Sequence, residues 1–452
     1  MPCSANEGVS AQPDVNPEVL ILGAGLSGLA AAQRLSQACV PVALLEARDR
    51  IGGRVWTRYR PDVPYAIELG AEWIDIHGNV PRLIEARGFR LEKSRGHRYV
   101  RGPDGLKRND QPYDKRILED LRKLGRKDRP VRPALGQCCA NGAWGDAPVA
   151  LIRYIEGFHA ADPDSLSLRW LLEVEKNQSA DQSAHRTPDG AGRSAESLAA
   201  GLSEYCTLHL DTIVRAVRWK RGSVIVEADT RSGPSTFEAR AAIVTLPLPV
   251  LKAPPSHPFG VRFTPGLSSK RGALEKLAMG HVLKVTLLFR EQFWHGIATL
   301  DDMLFLQDST QPFPTWWSMR PAEAPLLSGW AGGPVADRLA GTSVPGLLDA
   351  AVESLAGALG VPRVRVEEQL VSGHLHDWRE DPWAMGSYSN VLVGGIDAWK
   401  TLARPLDKTL FFAGEATCGK GMNATMDGAL ESGWRAAAEA IGATRGNPVV
   451  RH

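Results

Sequence analysis

Apolar residues along the chain gather in a few short runs set between glycines, prolines and charges. The run Glu18 to Leu22 has the unbroken apolar character of a strand covered on both faces of a parallel sheet. Ser27 to Gln37 is rich in alanine and leucine and predicts a helix, and Val40 to Leu45 predicts a second buried strand that ends at Glu46. Near the other end, Leu410 to Ala413 predicts a short buried strand and Gly414-Glu415 a turn. From about Thr425 the residues Met426, Ala429, Leu430 and Gly433 recur on one helical face, with Asn423 or Thr425 as the cap. Ala241 to Leu251 predicts a buried strand with a proline-rich exit. The stretch "MGHVLKVTLLF", Met279 to Phe289, predicts one strand with at least one buried face, yet it carries Lys284. Lysine is costly to bury. Two polar stretches stand apart. Asn177 to Arg193 predicts a mobile loop or linker, and Lys107 to Lys127 predicts a charged, exposed helix.

The chain has 452 residues, enough for two or three domains at roughly 150 residues each. Its 43% hydrophobic and 23% charged content is that of an ordinary globular protein. A net charge of +2 implies no nucleic-acid or membrane-surface partner, and no apolar run approaches the roughly 20 residues of a spanning helix. The opening "MPCSANEGVSAQPDVNPE" lacks a basic and an apolar region, so a signal peptide is not expected and a cytoplasmic location is. Cys3, Cys39, Cys138, Cys139, Cys206 and Cys418 have neither CxxC nor metal-ligand spacing, and are expected as reduced thiols with no metal.

The chemistry begins at Gly23, Gly25 and Gly28, a GxGxxG between strand and helix. In such a unit the first glycine makes the turn, the second lets backbone approach a pyrophosphate, and the third packs helix on strand. The helix N-terminus adds free N–H groups and positive dipole. Glu46, 18 residues past Gly28, stands where a carboxylate holds a ribose diol and disfavours NADP. Gly52-Gly53 allows a further close approach and Arg54 brings a cation to it; a surface turn with a solvated arginine is the alternative.

Seven segments together carry a resemblance: "GAGLSG" with Glu46, "EARDRIGGRVWT", "ELGAEWIDIHGN", "AAIVTLPLPVLK", "MGHVLKVTLLFREQFW", "DWREDPWAMGSYS" and "LFFAGEAT…MDGALESGWRAA". They resemble the flavin-dependent amine oxidase family, which includes monoamine oxidases, polyamine oxidases and histone lysine demethylases, and stand closer to the polyamine oxidase side. Coverage is weakest from Arg101 to Arg193, where only "EGFHAADPDSLSLRW" matches. The resemblance implies an α/β fold: a Rossmann-like FAD-binding domain with an inserted α+β substrate domain, in the two-domain architecture also found in p-hydroxybenzoate hydroxylase. Residues 1–79, 195–261 and 385–452 would form the FAD-binding domain and residues 80–194 and 262–384 the substrate domain.

The same resemblance implies the site. FAD would lie against Gly23, Gly25, Gly28, Glu46, Ala47, Arg48, Gly53 and Arg54, then Gly70, Ala71, Glu72 and Trp73, with Val214 at the adenine and Gly414, Glu415, Thr425 and Met426 at the ribityl chain and ring. Catalytic roles fall to Lys284, which would reach toward flavin N5 through a water, to Asp75, which would manage a cationic amine, and to Tyr388 as an aromatic wall. Three alternatives remain open. Lys284 and Thr286 fit the wet face of an edge strand, Asp75 and His77 fit capping residues of a solvated loop, and Trp316, Trp317 and Trp330 fit either replacement walls or plain core. Two departures narrow the subtype. Ser387 stands where monoamine oxidases carry the cysteine that links to flavin, so non-covalent FAD is expected, and Thr425 replaces the second cage tyrosine. The segment GAEW lacks the arginine with which L-amino-acid oxidases clamp a carboxylate. The expected function is oxidation of a primary or secondary amine, polyamines included, with oxygen reduced to hydrogen peroxide. The alternatives are a flavin dehydrogenase or desaturase, an L-amino-acid oxidase, and a non-catalytic flavoprotein or binding module.

Overall fold

The computed structural model describes residues 16–139, 144–177, 185–297, 300–419 and 421–444. A five-stranded parallel sheet runs in the order Leu410–Phe412, Ala241–Val244, Val19–Leu22, Val42–Leu45 and Cys206–His209. Every residue of its first four strands is buried, which is what unbroken apolar runs specify. Both chain ends therefore meet in one sheet. Helix Leu26–Gln37 packs on helix Met426–Thr444, and a Cβ on Gly433 would lie 2.2 Å from the Ser27 carbonyl oxygen. Ala30, Ala31, Ala436, Ala437 and Ala440 keep the rest of that crossing close.

The second sheet has seven strands, in the order Leu370–Asp377, Val282–Phe289, Leu326–Gly332, Thr315–Ser318, Met303–Gln307, His97–Gly102 and Gly105–Arg108. Leu283, Val285, Leu287 and Trp316 face helix Val344–Leu359 in an apolar core. The two-residue strand period puts Lys284 and Thr286 on the opposite face. Val282–Phe289 is an interior strand with all eight residues buried, so the wet-edge reading of Lys284 is overturned. The predicted single strand Met279–Phe289 also divides at His281. Leu277–Gly280 pairs instead with Tyr388–Val391, and a Cβ at Gly280 would meet the Ala160 carbonyl at 2.6 Å, so only glycine passes there.

A third sheet pairs Gly233–Ala239, Ser223–Thr230, Ile213–Lys220 and Arg262–Thr264. The boundary expected after residue 261 thus falls inside a sheet, and the Leu277–Gly280 pairing crosses the one expected at residue 385. The charged stretch 107–127 is not one exposed helix. It closes strand Gly105–Arg108 and then forms helix Ile117–Lys123, which buries Ile117, Leu118 and Leu121. Of the expected loop 177–193, residues 178–184 lie outside the described residues, while His185–Arg186 pairs with Glu92–Lys93 and helix Arg193–Ala200 begins at its end. Cys39 is disulfide-bonded, against the expectation of reduced thiols; Cys138, Cys139, Cys206 and Cys418 are free. Among the described residues no single helix is long and apolar enough to cross a membrane, and no cluster of His, Cys, Asp or Glu would hold a metal ion.

Candidate active site

A cavity of about 2370 Å³ runs from the C-terminal edge of the parallel sheet to the seven-stranded sheet. Gly23 and Gly25 line it, and so does Gly414 from the far end of the chain. Gly28 does not line it. A Cβ there would lie 1.8 Å from the Gly23 carbonyl oxygen, so Gly28 serves the packing of helix on turn. Gly53 faces Gly25, where a Cβ would come within 3.2 Å of the Gly25 Cα, and Gly25 and Gly52 bridge in parallel. These glycines make a backbone cradle open to the cavity at the N-terminus of helix Leu26–Gln37.

Glu46 is buried and pinned, accepting from the Ala24 N–H at 2.7 Å and the Arg48 N–H at 3.0 Å. Each carboxylate oxygen keeps a further lone pair for a diol. Arg48 is itself held by Asp381. Arg54 is not a solvated turn residue. It donates to the Ser387 carbonyl at 2.7 Å and to Glu415 at 3.0 Å, while Glu415 also accepts from Ser389 Oγ at 2.6 Å and the Ala424 N–H at 2.9 Å. One ion pair thereby ties four segments around the cavity. Val214 lines it at a bulge that interrupts its ladder. Ser387 Oγ, also on the wall, is a buried polar atom without a partner. The cradle, the pinned acid, the bulge and the orphaned hydroxyl fit a flavin dinucleotide.

Lys284 stands at the centre of a buried charge cluster. Its ammonium donates to the Gly70 carbonyl at 3.0 Å and to Glu72 Oε2 at 3.0 Å. Glu72 Oε1 accepts from Trp317 Nε1 and lies 3.6 Å from Arg186, whose guanidinium stacks over Trp73 at 4.4 Å. Glu68 completes the group. It accepts from the Ala191 N–H at 2.6 Å and the Thr57 hydroxyl at 2.9 Å. Two acidic side chains, Glu68 and Glu72, thus lie among two basic ones, Lys284 and Arg186, in one buried cluster. Gly70 is required here, since a Cβ would sit 2.2 Å from the Arg54 carbonyl oxygen.

Trp73, Trp317, Trp330 and Tyr388 line the cavity as walls, with Trp330 and Tyr388 stacked at 6.5 Å and the Tyr388 hydroxyl donating to the Phe158 carbonyl at 2.6 Å. Burial pushes the Tyr388 phenol well above its usual range, so it stays neutral. Trp316 is core, packed against Phe313 on the other face of the sheet. Asp75 and His77 line the cavity, and Asp75 Oδ1 accepts from the His77 N–H at 2.9 Å, a local loop cap. None of the described hydrogen bonds or ion pairs joins Asp75 to Lys284. Thr425, not Asn423, caps helix Met426–Thr444, accepting from the Gly428 N–H at 2.9 Å. Asn423 instead accepts from Trp170. Apart from Gly28, every residue expected at the site from sequence lines this one cavity, Ala47, Ala71 and Met426 included.

Sequence reading missed the partnership of Glu72 with Lys284, the supporting Arg186, and Arg98 with Phe305 on the far wall. The signal available for Glu72 was its unbroken linkage to a glycine, GAEW, where a backbone carbonyl and a side chain can meet one ammonium.

The family described as flavin containing amine oxidoreductase matches residues 26–441. The chain is 31% identical to lysine-specific histone demethylase 1 homolog 1 of Oryza sativa subsp. japonica, over 95% of this chain and 53% of that protein. It spans about half the length of several such curated relatives. It is also 29% identical to polyamine oxidase 5 of the same plant, over 91% of this chain and 85% of that protein. Among solved structures, a putrescine oxidase bound to putrescine superposes with a TM-score of 0.76 at 21% identity, covering 94% of this chain and 99% of that one. Cyclohexylamine oxidase from Brevibacterium oxydans IH-35A gives 0.76 at 20%, covering 94% and 98%. These two likenesses bear on the fold, which is the two-domain α/β architecture expected from sequence. With 26–441 matched, a glycine cradle and a buried lysine on one cavity, this chain belongs to the flavin-containing amine oxidoreductases, with FAD as cofactor.

Proposed function

We propose that the protein binds FAD non-covalently and oxidises a primary or secondary amine to an imine that water hydrolyses, with oxygen reduced to hydrogen peroxide. When bound, the flavin supplies two-electron oxidation of the C–N bond. Gly23, Gly25, Glu46, Gly53, Arg54, Val214 and Gly414 would hold it, and the seven-stranded sheet would present the amine. The single observation that carries this reading is Lys284, buried on the cavity wall with two of its three N–H groups committed. The third is left to orient a water over the reacting centre. Glu72, 3.0 Å from the lysine nitrogen, fixes its position on the wall. Helix Met426–Thr444 turns its N-terminal dipole to the cavity through Thr425 and Met426, which favours negative charge at that edge. Trp317, Trp330 and Tyr388 exclude water from the neutral amine. Asp75 keeps Oδ2 to receive the substrate's ammonium form. Serine at 387 cannot form a thioether.

Purified protein is expected to be yellow, to release all its FAD on acid denaturation, and to have its flavin bleached anaerobically by at least one member of a panel of mono-, di- and amino-carboxylate amines. Colourless protein that takes up no FAD, or flavin untouched by the whole panel, would refute the reading.

A further inference from the structure

The floor of the cavity is one face of the seven-stranded sheet, and its register can be followed across. Lys284 pairs with Trp330, Trp330 with Thr315, Thr315 with Gln307 and Gln307 with Val100. Two residues along, on the same face, run Thr286, Ser328, Trp317, Phe305 and Arg98. Arg98 is thus four strand spacings from the lysine, about 19 Å between backbones. Its guanidinium lies over the Phe305 ring at 4.6 Å, and Phe305 in turn meets Trp73 at 5.6 Å and Trp317 at 6.4 Å. An aromatic floor therefore connects the two cations.

Arg98 differs from Lys284 in having no carboxylate in contact with its guanidinium, Asp110 acting on it only at longer range. Among the described residues no carboxylate pairs with its guanidinium, and Nε is buried without a hydrogen-bond partner. The neighbouring acid, Asp110, is taken by the Arg98 backbone N–H, His97 and Arg108. The surroundings add to the imbalance. Among the described lining residues from 96–115, 150–158, 304–315 and 335–338, the cations are Arg98, Arg101, Lys115, Arg153 and Arg338. The acids are three: Asp110, Glu156 and Asp308. Asp308 is spent on Thr310 and Gln311, and Glu156 pairs with Arg132. Burial draws the Arg98 guanidinium down to about 10, so it is still charged at neutral pH.

We infer that Arg98 is a specificity-determining residue that binds a carboxylate at the far end of an extended amine substrate, so that the enzyme takes ω-amino carboxylates in preference to diamines. The inference rests on the amine-oxidising reading of Lys284 and its cavity. A guanidinium offers two parallel N–H groups to a carboxylate, and binding one supplies the missing counter-ion in a site already desolvated. A diamine of the same length would bring a second ammonium against an unpaired cation.

The test compares three carbon-matched amines long enough to reach from the lysine's water to the guanidinium, on the FAD-loaded enzyme: 10-aminodecanoate, decylamine and 1,10-diaminodecane. In wild type kcat/KM is expected to be highest for the amino carboxylate and lowest for the diamine. In Arg98→Gln the ratio of amino carboxylate to decylamine falls about 10- to 100-fold, and Arg98→Lys restores part of it. Decanoate, which has no amine to oxidise, is titrated calorimetrically in parallel, and its affinity falls by a similar factor in Arg98→Gln. A wild type that prefers the diamine, a ratio unmoved by Arg98→Gln, or decanoate binding alike in both proteins overturns the inference. If none of the amines reduces the flavin, the oxidase reading fails by itself, and the decanoate titration still decides whether Arg98 holds a carboxylate.

Discussion

The two ends of the cavity are built by different means. The dinucleotide end is made of backbone, with Gly23, Gly25 and Gly53 clearing space and helix Leu26–Gln37 offering its N-terminus. The substrate end is made of side chains projecting from five strands of one sheet, Lys284 to Arg98. A backbone cradle tolerates one residue type at each position and fixes its spacing along the chain. A side-chain floor depends on register between strands separated by up to two hundred residues, and many residue types fit it. The first end is shaped for a cofactor; the second is where a substrate would be told apart.

The largest effect that would sharpen this contrast lies at Gly28. Its Cβ would overlap the Gly23 carbonyl at 1.8 Å, backbone against backbone with nothing flexible to yield. Gly28→Val is expected to cost on the order of 3 kcal/mol or more and to leave soluble protein without retained flavin. FAD content after desalting, beside the melting temperature, checks it. Retention of a full complement of FAD would mean that the turn relaxes and the cradle is less rigid than its contacts say.

The same contrast explains what could be read from sequence. The first strand was expected at 18–22 and is Val19–Leu22; the last helix was expected from about Thr425 and starts at Met426. Unbroken apolar runs and glycine punctuation act locally, so local reading finds them. The split at His281 was missed because its two halves pair with different strands far along the chain, Tyr388–Val391 and Leu326–Gly332. Lys284 was placed correctly on a buried strand, yet its partner Glu72 was assigned to the cofactor and Asp75 to the amine. Alternation along "GAEWID" puts Glu72 inward and leaves Asp75 capping its own loop, but which acid meets the lysine depends on how that loop crosses the sheet. Arg98 lay beside the poorly matched stretch, where no motif announced it.

A smaller effect breaks the substrate end from inside. Removing the cation in Lys284→Met leaves Glu72 with Trp317 and the more distant Arg186 as its only described partners. The expected loss is about 3 kcal/mol of stability, with slower turnover or flavin reoxidation while FAD stays bound. Adding Glu72→Gln removes the orphaned charge. The double variant should therefore regain most of the stability and none of the turnover. Thermal melts and rapid-mixing reoxidation separate the two, and recovery of turnover in the double variant would assign Lys284 to structure alone.

The smallest effect is a pH dependence seated beside the same lysine. Burial raises the Glu68 carboxyl from 4.5 to about 7, with Lys284 pulling it back down and Glu72 pushing it further up. An acid whose folded value is raised binds its proton in the native state while the unfolded chain has already released it. Stability from this group is fully present below about 4.5 and is lost as pH rises through about 7, a change of at most about 3 kcal/mol. Glu68→Gln keeps an oxygen for the Ala191 N–H and presents an N–H to the Thr57 hydroxyl, as the protonated acid does. The variant should match wild type at pH 5 and exceed it at pH 8. Melting curves across that range, with FAD saturating, supply the measurement. If instead the two proteins keep parallel profiles, Glu68 is ionised throughout, and the buried cluster around Lys284 carries a full second negative charge.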